Sequence, residues 1–153
     1  MESTLIRQIG RYEFSREAAI NPHRGADGRV LTYEPAATLA QGQLNPYGRG
    51  PFCKFSLPAL PGQPGVYAVT VGTKVKYVRK CRRLSDKWGS SGYGRICRQD
   101  CLKDGRNINC RINAHIAVAA NAGKVELWFH PTDDGAAVEK ELIETEKPAW
   151  NVR

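Results

Sequence analysis

From Pro64 onward the apolar positions keep regular periods, whereas before it they are scattered among prolines and glycines. Gly65-Val-Tyr-Ala-Val-Thr-Val71 is β-branched and aromatic, Gly72-Thr-Lys74 carries turn residues, and Val75-Lys-Tyr-Val78 is extended again. Together these runs predict a β-hairpin. Arg82 to Trp88 predicts a short helix with Leu84 and Trp88 on one face. After a Gly- and Asn-rich stretch, Ile108, Ile112, His115, Ile116 and Ala119 recur at three-and-four spacing. That period predicts an amphipathic helix over 108–120, closed by a glycine cap in Asn121-Ala-Gly123. Val125-Glu-Leu-Trp-Phe-His130 alternates as a third strand. Asp133 or Asp134 can then cap a last helix running to about Glu146, before Pro148. The pattern predicts an α/β (α+β) domain over 64–153, a small, mainly antiparallel sheet of three strands flanked by helices.

Residues 1–63 read differently. Five prolines fall between Pro46 and Pro64, and Asn45-Pro-Tyr-Gly-Arg-Gly-Pro51 can sustain neither a helix nor a central strand. An irregular arm or extension is expected, with a short helical turn over Ser15-Arg-Glu-Ala-Ala-Ile20, suited to clasping DNA or forming a homodimer.

Charge adds the first functional clue. The 153 residues carry 23 Lys and Arg against 15 Asp and Glu, so 23 − 15 gives a net +8. Between Lys76 and Arg111 stand eleven basic and three acidic residues, which accounts for the whole excess. A concentrated basic stretch interleaved with Trp88 and Tyr93 is the composition of a surface that neutralises phosphates; a merely solvated face is the alternative. No apolar run approaches the roughly 20 residues that span a bilayer, so no membrane partner is expected. Charges throughout the first twenty residues exclude a signal-peptide core, and a cytoplasmic protein is expected. Five cysteines, an odd number, then read as reduced thiols. Cys97, Cys101, Cys110 and His115 could supply four zinc ligands, although their spacing lacks paired C-x2-C knuckles, and the alternative is buried thiols packed as small hydrophobes.

The hairpin and the closing helix carry a more specific pattern. Gly65-Val-Tyr67 and Tyr77-Val-Arg79 place two tyrosines ten positions apart; Lys80 follows; and Glu139 in the last helix precedes Asn151 by twelve positions, after Pro148. This ordered set resembles the GIY-YIG nucleases over residues 64–153. The resemblance implies a metal-dependent endonuclease that hydrolyses DNA phosphodiesters, double-stranded DNA foremost, in a restriction or defence-like setting. It implies that Tyr67 activates the attacking water, that Tyr77 and Lys80 orient it, and that Glu139 ligates a single Mg2+ or Mn2+. Asn151 would support the site. Two positions depart from the family pattern: Arg79 stands where the second motif has Gly, and the phosphate-clamping Arg falls on Lys87. Arg111 and His115, four apart on one helix, resemble the Arg-x3-His arrangement of the restriction-endonuclease branch and offer a replacement clamp.

The residue types make chemical sense apart from the family. A phenol loses its proton only near pH 10, so a general-base tyrosine needs a cationic neighbour to lower that value. One helix carboxylate suits a hard cation that keeps its waters. Lys is a point charge and cannot make the bidentate fork of Arg on phosphate. The backbone or grooves of DNA would be met by Arg79, Arg82, Arg83, Trp88, Tyr93, Arg95 and Arg98, with Asn151 at the end of the motif. The plainer alternatives are ordinary strand aromatics for Tyr67 and Tyr77, a solvated carboxylate for Glu139 and a half-buried helix histidine for His115. The rival to catalysis is a catalytically weakened DNA-binding protein on a nuclease fold, which Arg79 keeps open.

Overall fold

The computed structural model describes residues 4–90 and 92–152. The elements in chain order are β1 (Ile6–Ile9), β2 (Tyr12–Ala19), β3 (Gly65–Val71), β4 (Lys74–Cys81), α1 (Ser85–Trp88), α2 (Asn107–Ala119), β5 (Val125–Pro131) and α3 (Gly135–Glu146). The fold is α+β, with an antiparallel sheet in the order β1-β2-β5-β3-β4. The sheet has five strands rather than the expected three, because the N-terminal segment contributes β1 and β2. The short helix expected at 15–20 is therefore strand. Arg16-Glu-Ala-Ala19 has helical propensity, but β2 is hydrogen-bonded on both sides, to β1 and β5, and the ladder outweighs a weak local preference.

The chain divides into two compact units, and the division does not fall at 63/64. One comprises Met1–Ile20, Leu57–Asp86 and Lys124–Arg153; the other comprises Asn21–Ser56 and Lys87–Gly123.

The first unit is the sheet with α3 packed on one face. Ile9, Phe14, Val66, Ala68, Val78 and Trp128 meet Val138 and Leu142 there. Burying each such side chain fully is worth about 1.5–3 kcal/mol. β3 lies between β4 and β5, and its residues from Gly65 to Thr70 are buried on whichever face they fall, which fits its nearly continuous apolar run. Gly65 is required by space: a Cβ there would lie 2.3 Å from the His130 carbonyl oxygen. Asp134 occupies the N-cap position of α3, as expected, but its side chain makes no capping bond.

The hairpin holds a feature invisible to pattern reading. Its turn, Gly72-Thr73, pairs Val71 with Lys74 and Thr70 with Val75. Continued unbroken, that register would set Tyr77 opposite Ala68 and so on the face covered by α3. A bulge between Val69 and Thr70 instead shifts the ladder by one residue, pairing Val69 with Tyr77 and Tyr67 with Arg79. Because side chains alternate, the shift moves Tyr77 and Arg79 onto the face of Tyr67.

The second unit is built around α2 and irregular backbone. Ala36, Leu39, Leu44, Phe52, Ile96, Cys101 and Cys110 form its core. α2 matches the expected amphipathic helix, although it ends on Ala120 in a right-handed conformation rather than on a glycine cap.

Candidate functional site

In the first unit the two motif tyrosines meet. The rings of Tyr67 and Tyr77 lie 6.0 Å apart at 55°, and both are buried within the fold rather than laid on its surface. Lys80 does not join them. It pairs with Val66 and projects from the opposite, α3-bearing face, so its expected role with Tyr77 in orienting the water at Tyr67 is corrected by the register. Arg79, paired directly with Tyr67, is the motif cation on the phenol face.

Glu139 sits in the second turn of α3, where its Oε2 accepts the Lys80 backbone N–H at 2.7 Å. No other hydrogen bond or ion pair reaches this carboxylate among the described residues. One oxygen is thus anchored and the other is left for a ligand. That donor set suits a magnesium-like ion held by one carboxylate, its remaining positions being water and substrate oxygens. Among the described residues no group of three or more His, Cys, Asp or Glu could hold a metal, so the four-ligand zinc arrangement is not assembled. The cysteines are free thiols: Cys53, Cys101 and Cys110 are buried, Cys81 is half-buried and Cys97 exposed. Burial pushes Cys53 and Cys110 up to about 12 and Cys81 to about 11, as expected of thiols packed as hydrophobes.

Asn151 acts on the edge strand. Its Oδ1 accepts the Val78 N–H at 3.0 Å and its Nδ2 donates to the Val78 carbonyl at 2.9 Å, while the Trp150 N–H donates to the Lys76 carbonyl at 2.8 Å. One side-chain amide so reproduces a strand pairing on β4 beside the bulge. It touches the motif backbone instead of standing ready for DNA. Lys80 and Arg82 line a cavity of about 400 Å³ with Gly65, Thr132, Asp133 and Gly135. Arg83 is exposed and makes a loose pair with Asp86 at 3.5 Å.

The remaining candidates belong to the second unit. Trp88 and Tyr93, expected to meet nucleic acid, are buried, with an edge-on contact at 4.8 Å between their rings and Phe55 6.1 Å from Trp88. They are core, because large rings amid a basic segment gain more from burial than from exposure. Lys87 donates from Nζ to Oδ1 of the buried Asn109 at 3.2 Å and lies 5.7 Å from the Tyr93 ring. Arg95 and Arg98 are exposed, and Arg95 borders a groove of about 630 Å³ that Asp100, Asp104 and Arg106 also line.

Arg111 is the unusual member. It is only 7% exposed on α2, and its Nη1 has no hydrogen-bond partner. A buried guanidinium nitrogen left so is costly to the fold. Its Cζ lies 6.0 Å from the ring centroid of Tyr47, a residue not singled out in the sequence. The dense Pro-Gly setting of Tyr47 was the only signal there. His115 stands one helical turn from Arg111 and is half-buried. Comparison with protein-family models, with curated proteins and with solved structures gives no match.

Proposed function

We propose that the protein is a metal-dependent endonuclease that hydrolyses phosphodiester bonds of double-stranded DNA, of the GIY-YIG kind that its motifs resemble. The observation that carries the proposal is the β-bulge, which places Tyr77 and Arg79 on the face of Tyr67. A bulge sacrifices regular ladder pairing, and such departures concentrate where a side chain must be re-aimed.

In this reading Tyr67 takes the proton of the attacking water, which requires that its buried phenol be uncovered when DNA binds. Arg79, paired across the ladder with Tyr67, takes the place beside the phenol that the resemblance gave to Lys80. Arg79 in place of the motif glycine is then a substitution with a use, which favours catalysis over mere binding. Tyr77 packs against Tyr67 and fixes its ring. Glu139, oriented by the Lys80 N–H on the α3 side of the sheet and so across it from the Tyr67 face, would hold one Mg2+ or Mn2+ at the β4 edge, which supplies charge neutralisation to a phosphate there. Asn151 keeps β4 in register through Val78. Arg111 takes a phosphate through its guanidinium edge, and Lys87, tied to Asn109, is a weaker candidate for that work. Exposed Arg82, Arg83, Arg95 and Arg98 contribute backbone contacts.

Two substitutions test the assignment. Glu139→Gln retains an acceptor for the Lys80 N–H, so it should fold, bind duplex DNA as tightly as wild type and lose cleavage. Tyr67→Phe should fold as well and cut about a hundredfold or more slowly, the scale of a lost general base. Wild-type cleavage by either variant would remove that residue from the mechanism.

A further inference from the structure

Tyr47 is 40% exposed, yet the turn that presents it is held unusually firmly. Asn45, itself buried, donates its side-chain amide to the carbonyls of Asp100 and Leu102 at 2.8 and 3.0 Å, and its Oδ1 accepts the Tyr47 N–H at 2.9 Å. The backbone closes around the ring: Gly48 N–H donates to Asn45 O at 3.0 Å and Gly50 N–H to Tyr47 O at 3.2 Å. Gly48 admits no side chain, since a Cβ would lie 2.5 Å from the Cys101 carbonyl oxygen. Arg49 anchors the turn from the other side through the carbonyls of Ala36 and Leu39. None of this is needed to bury the Tyr47 ring, which is left half in solvent. What the rigid turn does achieve is to hold that ring beside the guanidinium of Arg111, at 6.0 Å, on the cation whose Nη1 has no hydrogen-bond partner.

We propose that Tyr47 is a positioning residue for Arg111, the ring and the guanidinium together forming a seat for one phosphate group of the nucleic-acid backbone. This rests on the phosphodiesterase reading above for the identity of the ligand. A ring beside a guanidinium attracts it electrostatically and keeps water from one side of it. It also restricts the rotamers of a long side chain, so less freedom is lost when the two parallel N–H donors engage a phosphate. Tyr47 acts through Arg111 and has no direct part in bond breaking.

A double-mutant cycle decides the matter. Affinity for a short fluorescein-labelled duplex is measured by anisotropy at fixed salt and without metal, for wild type, Tyr47→Ala, Arg111→Ala and the double variant. Tyr47→Ala should weaken binding about fivefold to tenfold, the scale of a partly desolvated cation–π contact. In the Arg111→Ala background the same change should have no effect, and Tyr47→Phe should restore wild-type affinity. Tyr47→Leu, which fills the space without a π face, should behave as Ala and serves if Ala unsettles the turn. Wild-type affinity in both Tyr47→Ala and Tyr47→Leu, an effect that persists without Arg111, or a wild-type protein that does not bind duplex would each overturn the proposal. Cleavage is a separate arm. A protein that binds duplex and shows this coupling, yet fails to cut it with either Mg2+ or Mn2+, refutes the hydrolase and leaves the Tyr47–Arg111 seat intact.

Discussion

Replacing Arg111 by Met should make the protein more stable. The residue is only 7% exposed, and its Nη1 has no hydrogen-bond partner. Leaving a buried polar group unsatisfied costs about 1–3 kcal/mol, with charged groups at the upper end or beyond. Met keeps the apolar stem and fills irregular space without a donor, so most of the packing survives. A net gain of about 2 kcal/mol corresponds to roughly 4–8 °C in Tm for a chain of this size. The assay is thermal unfolding of both proteins in an anion-poor buffer, followed by a titration with inorganic phosphate. Wild type should gain Tm as phosphate rises, because the anion binds only the folded state, while Arg111→Met should not respond. The variant should also bind duplex DNA more weakly, a stability gain at the expense of function. The reasoning is refuted if Arg111→Met melts below wild type and phosphate leaves wild-type Tm unchanged, for then the guanidinium is a satisfied part of the core.

Two further outcomes follow from the geometry. Asn151→Ala removes both bonds to Val78 and should lower stability by about 1–3 kcal/mol in denaturant unfolding, with a larger loss of cleavage than of DNA affinity; an unchanged midpoint would show that the amide does not hold β4. For the basic segment, log affinity for duplex should fall linearly with log salt, and loss of Arg83, Arg95 or Arg98 singly should each reduce the slope by about one; salt-insensitive binding would contradict the phosphate contacts.

How far the sequence reaches can be judged residue by residue. The hairpin, α2, β5 and α3 were legible because each keeps one period over many residues. β2 was not, since its pairing on both sides is a non-local fact that no window over Arg16-Glu-Ala-Ala19 contains. The division of the chain escaped for the same reason: Asn21–Ser56 groups with Lys87–Gly123 across a long gap in sequence. Motif spacing brought Tyr67, Tyr77, Glu139 and Asn151 into one account, and all four lie in the unit of the sheet. Spacing could not supply the register. A bulge of one residue decides that Arg79 and not Lys80 shares the face of Tyr67, and nothing in the composition of β4 announces it. Trp88 and Tyr93 misled because an aromatic among cations reads alike whether it is buried or exposed. Arg111 entered through its spacing to His115, whereas its buried Nη1 without a partner and its neighbour Tyr47 are visible only in three dimensions.

We propose that Tyr67, Arg79 and Glu139 serve phosphodiester hydrolysis. Its most direct test is incubation of the purified protein with supercoiled plasmid in magnesium or manganese, with parallel reactions in chelator and with Glu139→Gln. Nicked and linear DNA are expected with metal, and intact supercoils in chelator and with the variant. Supercoils that stay intact with wild type in both metals, at protein concentrations that saturate the DNA, would contradict it.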